Sequence, residues 1–152
     1  MKVRIEIETD LADTEVIVRC NKIDEQILQL QKVLTEMKNA SKQLTFYKNY
    51  TEYYLPLTKV LFFDTESGSI SAHTANEVYQ VKYKLYELEE LLPGYFMRVS
   101  KSTILNTYQV YSITKNITAA STVTFEKSHK QVYVSRNFYK SLKLRLEEKR
   151  LK

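Results

Sequence analysis

Phe96-Met97-Arg98-Val99-Ser100-Lys101-Ser102-Thr103-Ile104-Leu105-Asn106 sets cationic and hydroxyl side chains between two apolar anchors. Phe96 stands on one side and Ile104-Leu105 on the other, with Arg98, Ser100, Lys101 and Ser102 between them. A buried strand has no place for that set of donors, each of which needs a partner once removed from water. A freely solvated loop has no need of anchors so close on both flanks. The pattern describes a rigid turn pinned to a core and presenting donors to an anionic partner.

The charge around this stretch points the same way. Residues 1–90 carry eleven Lys/Arg against fifteen Asp/Glu, a balance of −4. Residues 91–145 carry nine Lys/Arg against Glu126 alone, a balance of +8. The remainder brings the chain to its net +5. So sharp an asymmetry indicates nucleic acid or an anionic membrane surface, and a basic face serving only solubility is the plain alternative.

At 152 residues the chain accommodates one ordinary domain with a small attached module. Two glycines and two prolines leave no Gly-rich phosphate cradle and no low-complexity linker. The longest apolar runs, such as Val60-Leu61-Phe62-Phe63, are far below membrane-spanning length. The single Cys20 cannot form an internal disulfide, which fits a reducing compartment. A cytoplasmic location is expected. His73 and His129 lie far apart, with neither carboxylate nor thiol at ligand spacing, so neither a metal nor a cofactor is expected. No nucleophile–base arrangement or paired carboxylate marks the chain as an enzyme.

Working outward, the N-terminal Val3, Ile5 and Ile7 alternate with charged residues, and Val16 and Val18 resume the alternation, predicting two strands. Ile23, Ile27, Leu30, Leu34 and Met37 then fall at spacings of four and three, one face of a helix, with Asn21 as its N-cap. Residues 1–40 thus form a β-β-α piece, for dimerisation or partner docking, joined at 39–42 to a domain over 41–152. Short strands are predicted at Leu44–Phe46, Tyr54–Leu57, Val60–Phe63, Ile70–Ala72 and Val78–Val81, with Ser67-Gly68-Ser69 as a hairpin turn. A helix runs from Tyr83 to Leu92, stopped by Pro93-Gly94. Further strands follow at Val110–Ile113, Thr122–Phe125 and Gln131–Val134, and a helix from Asn137 to Leu151 closes the chain. Cys20 and most of the tyrosines, among them Tyr53, Tyr54, Tyr79, Tyr83 and Tyr86, read as packing residues, while Tyr108 and Tyr111 could touch nucleic acid. Asn106 reads as a turn-capping structural residue. The fold class is α+β and mainly β.

Four motifs in order make residues 44 to about 147 resemble the LytTR-type DNA-binding domain of bacterial transcriptional regulators: Val60-Leu61-Phe62-Phe63-Asp64, Lys84 to Leu92, Phe96 to Asn106, and Val134-Ser135-Arg136-Asn137. The resemblance implies short antiparallel sheets with one short helix and a C-terminal helix. It implies a regulator that inserts loops into successive major grooves of double-stranded DNA and bends it. Carried over by position, Lys101 and Arg136 contact bases. Arg98, Ser100, Ser102, Ser135 and Asn137 lie in the flanking loops or at phosphates, and the 65–69 loop with Gly68 and Ser69 forms a third element. Lys84, at a helix start, could add a phosphate contact. Lys101 and Arg136 also carry the donors that suit guanine O6 and N7. The chain departs from the family at Ser100, where histidine is usual, and at Glu66, in a 65–69 loop without a basic residue.

The resemblance further implies a stand-alone regulator without a receiver domain, acting as a homodimer on a direct-repeat operator and inhibited by a small integral membrane protein. The alternative from a different class is a non-catalytic module that docks a membrane protein at an anionic membrane surface.

Overall fold

A computed structural model describes residues 1–40 and 44–150. Helix α1 spans Glu25–Ala40. Strands β1 (Phe46–Lys48), β2 (Thr51–Tyr53), β3 (Phe62–Glu66), β4 (Ser69–His73) and β5 (Val78–Val81) lead to the short helix α2 (Leu85–Leu91). Strands β6 (Phe96–Arg98), β7 (Thr103–Asn106), β8 (Val110–Thr114), β9 (Ser121–Phe125) and β10 (Gln131–Val134) follow, and α3 (Arg136–Arg150) is last. Two sheets result, one in the order β2-β1-β5-β4-β3-β7-β6 and one in the order β10-β9-β8. Every pairing is antiparallel. The expected α+β class with short antiparallel sheets, a short helix and a C-terminal helix holds.

The two halves of the core share the strands β3 and β7. Successive strand side chains point to opposite faces, so an unbroken apolar run signals a strand covered on both sides. Val60, Phe63 and Ile104 enter a core with α2 residues Leu85 and Leu88. Their chain neighbours Leu61, Phe62 and Leu105 enter a second core with Val123, Phe125, Val134 and the α3 residue Leu142. Asn106 is buried where β7 ends, its amide donating to the Val60 carbonyl at 3.0 Å and its oxygen accepting from the Tyr108 N–H at 3.0 Å. It is the structural cap that its position suggests.

Several local expectations are corrected. Residues 2–8 and 15–19 form no strands, and Val3, Ile5 and Ile7 are 84%, 86% and 88% exposed. A two-stranded hairpin with nothing to cover its apolar face is marginal at best in water, and no described element lies over this one. The cap of α1 is Asp24, whose carboxylate accepts from the Ile27 N–H at 3.1 Å, rather than Asn21. Cys20 is exposed. Tyr54-Leu55-Pro56-Leu57 is not a strand: Pro56, without a donor, opens a single 3₁₀ turn at Leu57–Lys59. Tyr50 and Asn49 instead turn the β1–β2 hairpin, both at positive φ, as Ser67 and Gly68 do between β3 and β4. Tyr79 is buried and Tyr53 and Tyr83 pack against the core, but Tyr54 and Tyr86 are exposed. The proposed joint at 39–42 and the last residues of the closing helix fall partly outside the described residues.

Candidate nucleic-acid interface

Antiparallel pairing decides which loops meet. Thr103 pairs with Asp64, Thr65 with Ile70, and Ile70 with Val81. The β6–β7 loop, the β3–β4 turn and the exit from β5 towards Lys84 therefore share one end of the seven-stranded sheet. Main-chain bonds fix the first two together, since the Thr65 N–H donates to the Ser102 carbonyl at 2.9 Å. A further bond ties in the second sheet: the Ser135 N–H donates to the Val99 carbonyl at 2.9 Å. Sites separated by some seventy residues in sequence, from Thr65 to Ser135, are thus held in one rim by backbone rather than by mobile side chains.

Within that rim Arg98 is half-buried and directed inward. Its Nε donates to the Ser100 carbonyl at 2.9 Å, its Nη2 to the Lys101 carbonyl, and its Nη1 to Glu89 on α2. The planar fork of a guanidinium meets several acceptors at fixed angles, so Arg98 braces the loop from behind. Ser100 accepts from the Ser102 N–H at 3.2 Å, a local turn that sets the direction of the segment between them. Lys101 and Ser102 are left exposed at the crest. Arg98→Lys keeps the charge and loses the fork. It is expected to speed amide hydrogen exchange across Lys101-Ser102 and to cost about 1 kcal/mol of domain stability, read from chemical denaturation.

Arg136 and Asn137 are exposed, but not in a loop as expected. They open α3, with Ser135 accepting at its carbonyl from Phe138 and Tyr139 N–H. The helix gives Arg136 a fixed base beside the β6–β7 loop. Lys84 precedes α2, where its own N–H is taken by the Glu87 carboxylate at 3.0 Å, and its ammonium lies 5.9 Å from the Tyr86 ring centre. Gly68 has no neighbour near its missing side chain, so what the turn needs from it is its φ of 81°, and Ser69 closes that turn onto the Glu66 carbonyl at 3.1 Å.

One basic residue on the same rim was not singled out from sequence. Val134 pairs with Ser121 and Thr122 with Thr114, which brings Lys115 to the Ser135 end of the second sheet, its ammonium 5.5 Å from the Tyr139 ring centre. Only the strand register reveals this, and register is a long-range property.

His73 does have a carboxylate partner, contrary to the sequence reading. Its Nε2 lies 2.9 Å from Asp64, across the β3–β4 hairpin, and its ring stacks on Phe62 at 4.2 Å. Lys130 Nζ lies 3.4 Å from the other ring nitrogen and donates to the Glu77 carbonyl at 3.0 Å. Burial holds the Lys130 ammonium below the usual lysine range, with Asp64 and Glu77 opposing the shift. Asp64, Glu66 and His73 bring one ligand atom each within 4.8 Å of one another, with the Lys130 ammonium beside the ring.

Lys84, Lys101, Lys115 and Arg136 are all exposed at this rim, on segments that strand pairing and main-chain bonds hold together. The family profile described as the LytTr DNA-binding domain matches residues 50–147. The chain belongs to the LytTR family of DNA-binding domains. It is 26% identical over 146 residues to an uncharacterized HTH-type transcriptional regulator of Staphylococcus aureus strain MRSA252, covering 96% of this chain and 98% of that one. The similarity to the corresponding protein of strain NCTC 8325 is 25% over the same shares. Among solved structures, the LytTr DNA-binding domain of a Bacillus cereus methyl-accepting/DNA response regulator superposes with a TM-score of 0.62. That match has 22% identity and spans 70% of this chain and 97% of that domain. Although the staphylococcal relatives are described as HTH-type, no two helices follow one another directly among the described residues here. No helix among them is long and apolar enough to cross a membrane.

Proposed function

We propose that this protein regulates transcription by sequence-specific binding of double-stranded DNA through the loops of the rim. The observation that carries the reading is the pair of main-chain bonds, Thr65 to Ser102 and Ser135 to Val99, that set three separate loops side by side. Lys101 and Arg136 read base edges. Ser100, Ser102, Ser135 and Asn137, with Lys84 and the Gly68-Ser69 turn, lie along the phosphates, and Arg98 serves by bracing the loop. Loops on one rim reach successive major grooves only if the duplex bends towards them, at a deformation cost that itself depends on sequence. Two copies occupy a direct-repeat operator. Residues 1–40, whose helix α1 brings Glu36 close to Gly94 of the domain over 41–152, serve dimerisation or the docking of a small integral membrane inhibitor in the cytoplasm. Footprinting on the promoter region of its own gene is expected to show a protected direct repeat. An absence of protection at low salt would overturn the reading.

Glu66 stands exposed at the end of β3, on the same rim, where its carboxylate opposes phosphate. Glu66→Gln is expected to raise DNA affinity about two- to five-fold, the range of an exposed charge interaction. The gain should shrink as salt is added, because screening acts on the repulsion that the substitution removes. Fluorescence anisotropy at two ionic strengths measures it.

A further inference from the structure

The N-terminal segment is a puzzle in the isolated chain. Lys2 to Glu8 alternates strictly between charged and apolar residues, a pattern with no use except in a sheet, yet it pairs with nothing. The ion pair between Arg4 and Glu6, at 2.9 Å, brings together two charged side chains two residues apart, as residues on one face of a strand are. Val3, Ile5 and Ile7, which alternate with the charged residues, are exposed to water.

The order of charges identifies what pairs with this segment. Set two copies of the segment antiparallel about Ile5, and Lys2 stands opposite Glu8, Arg4 opposite Glu6, Val3 opposite Ile7, and Ile5 opposite itself. Every charged pair is attractive and every apolar residue meets an apolar one. Parallel in-register pairing instead places each charge beside its like. Folding back on the second alternating stretch of the same chain fails in a similar way. Two registers set both Val16 and Val18 opposite apolar residues among Val3, Ile5 and Ile7. One of them places Glu6 against Glu15 and Lys2 against Arg19, and the other places Glu8 against Glu15 and Arg4 against Arg19. Like charges directly opposite each other destabilise a ladder. The second stretch is itself self-complementary: about Ile17, Glu15 stands opposite Arg19 and Val16 opposite Val18.

We infer that residues Lys2–Glu8 form an antiparallel two-stranded ladder with the same residues of a second copy of this chain, closing a twofold-symmetric dimer. A symmetric interface brings the same patch of both subunits together, and a charge palindrome is what such a patch requires. Glu15–Arg19 repeats the symmetry, and its Val16 and Val18 supply the second apolar face that packs over Val3, Ile5 and Ile7 of the first ladder, since a single short ladder leaves that face open and is below the roughly 800 Å² per partner of a stable complex. The inference deepens the reading of two copies on an operator but does not rest on DNA binding, because association is measured without nucleic acid.

Sedimentation of the full chain tests it through charge exchange. The wild-type protein is expected to be a dimer. Lys2→Glu with Arg4→Glu, and separately Glu6→Arg with Glu8→Lys, each leave one sign on both strands and should yield monomers. An equimolar mixture of the two variants should associate, and the fourfold exchange, which restores the palindrome in reverse, should dimerise again. Unchanged melting of the variants will confirm that the domain, which these residues do not touch, remains folded. Ile5→Cys in a Cys20→Ser background should oxidise to a covalent dimer, since residues facing themselves across an antiparallel pair lie within disulfide reach. A monomeric wild type, dimers of either twofold variant, or a fourfold exchange that stays monomeric would each overturn the inference.

Discussion

Replacing Lys101 and Arg136 together with alanine is expected to weaken binding to the specific duplex by about 2–4 kcal/mol, roughly 30- to 1,000-fold. Both side chains are exposed and neither belongs to either apolar core, so the melting temperature should hardly move. What each loses differs in kind. Arg136 projects from the first turn of a helix, and its fork can meet two acceptors on one guanine, so Arg136→Lys should already give up much of the discrimination. Lys101 offers a single charge at the crest of a braced loop. Ser100 stands where the family commonly has an imidazole, and its hydroxyl oxygen accepts from the Ser102 N–H, so the only cation exposed on that loop is Lys101. The salt dependence separates base reading from phosphate contact. Loss of base contacts lowers specific affinity far more than non-specific affinity, whereas loss of two phosphate contacts flattens the dependence of log K on log salt by about two. Anisotropy titrations on specific and scrambled duplexes, repeated across salt, decide which has occurred. Equal loss on both duplexes would reassign the two residues to the backbone.

The strands were legible where burial leaves a period in the sequence and illegible where tertiary context decides. β3 and β7 carry apolar runs because both of their faces are covered, and α2 carries a leucine stripe stopped by Pro93-Gly94. The β1–β2 turn was missed because Asn49 and Tyr50 take positive φ without a glycine to announce it. At the rim, the donors of Phe96–Asn106 stood out by composition, but the direction of Arg98 did not. Its inward turn onto Ser100, Lys101 and Glu89 depends on α2 lying behind the loop. Arg136 is expected in a loop and instead opens α3, one residue before the expected start at Asn137, with Ser135 at the usual position of a capping serine. The partnership of His73 with Asp64 is a diagonal contact across the β3–β4 hairpin, which follows only once the register set by the Ser67-Gly68 turn is known. The N-terminal alternation was plain in the sequence, yet a monomer gives it no ladder to join.

Leu142→Ala is expected to cost about 2–5 kcal/mol of stability, the range for emptying a fully buried leucine site. Leu142 fixes α3 against Leu61, Phe62 and Leu105 in the second core. Those residues sit on the same strands that send Val60, Phe63 and Ile104 into the first, so the cavity lies next to the element that both cores share. If β3 and β7 couple the two cores into one cooperative unit, chemical denaturation should remain a single transition displaced to lower denaturant with an unchanged slope. If the second sheet and α3 melt alone, the slope should fall and protection should be lost first in β9, β10 and α3. The distinction bears on DNA binding. Arg136 depends on α3 for its position, and the Ser135–Val99 bond is the link from that helix to the β6–β7 loop. In the cooperative case, affinity measured well below the transition should stay near that of the wild type, because every folded molecule retains the rim. In the uncoupled case, affinity should decline at temperatures where the seven-stranded sheet is still intact, with Lys101 presented and Arg136 adrift.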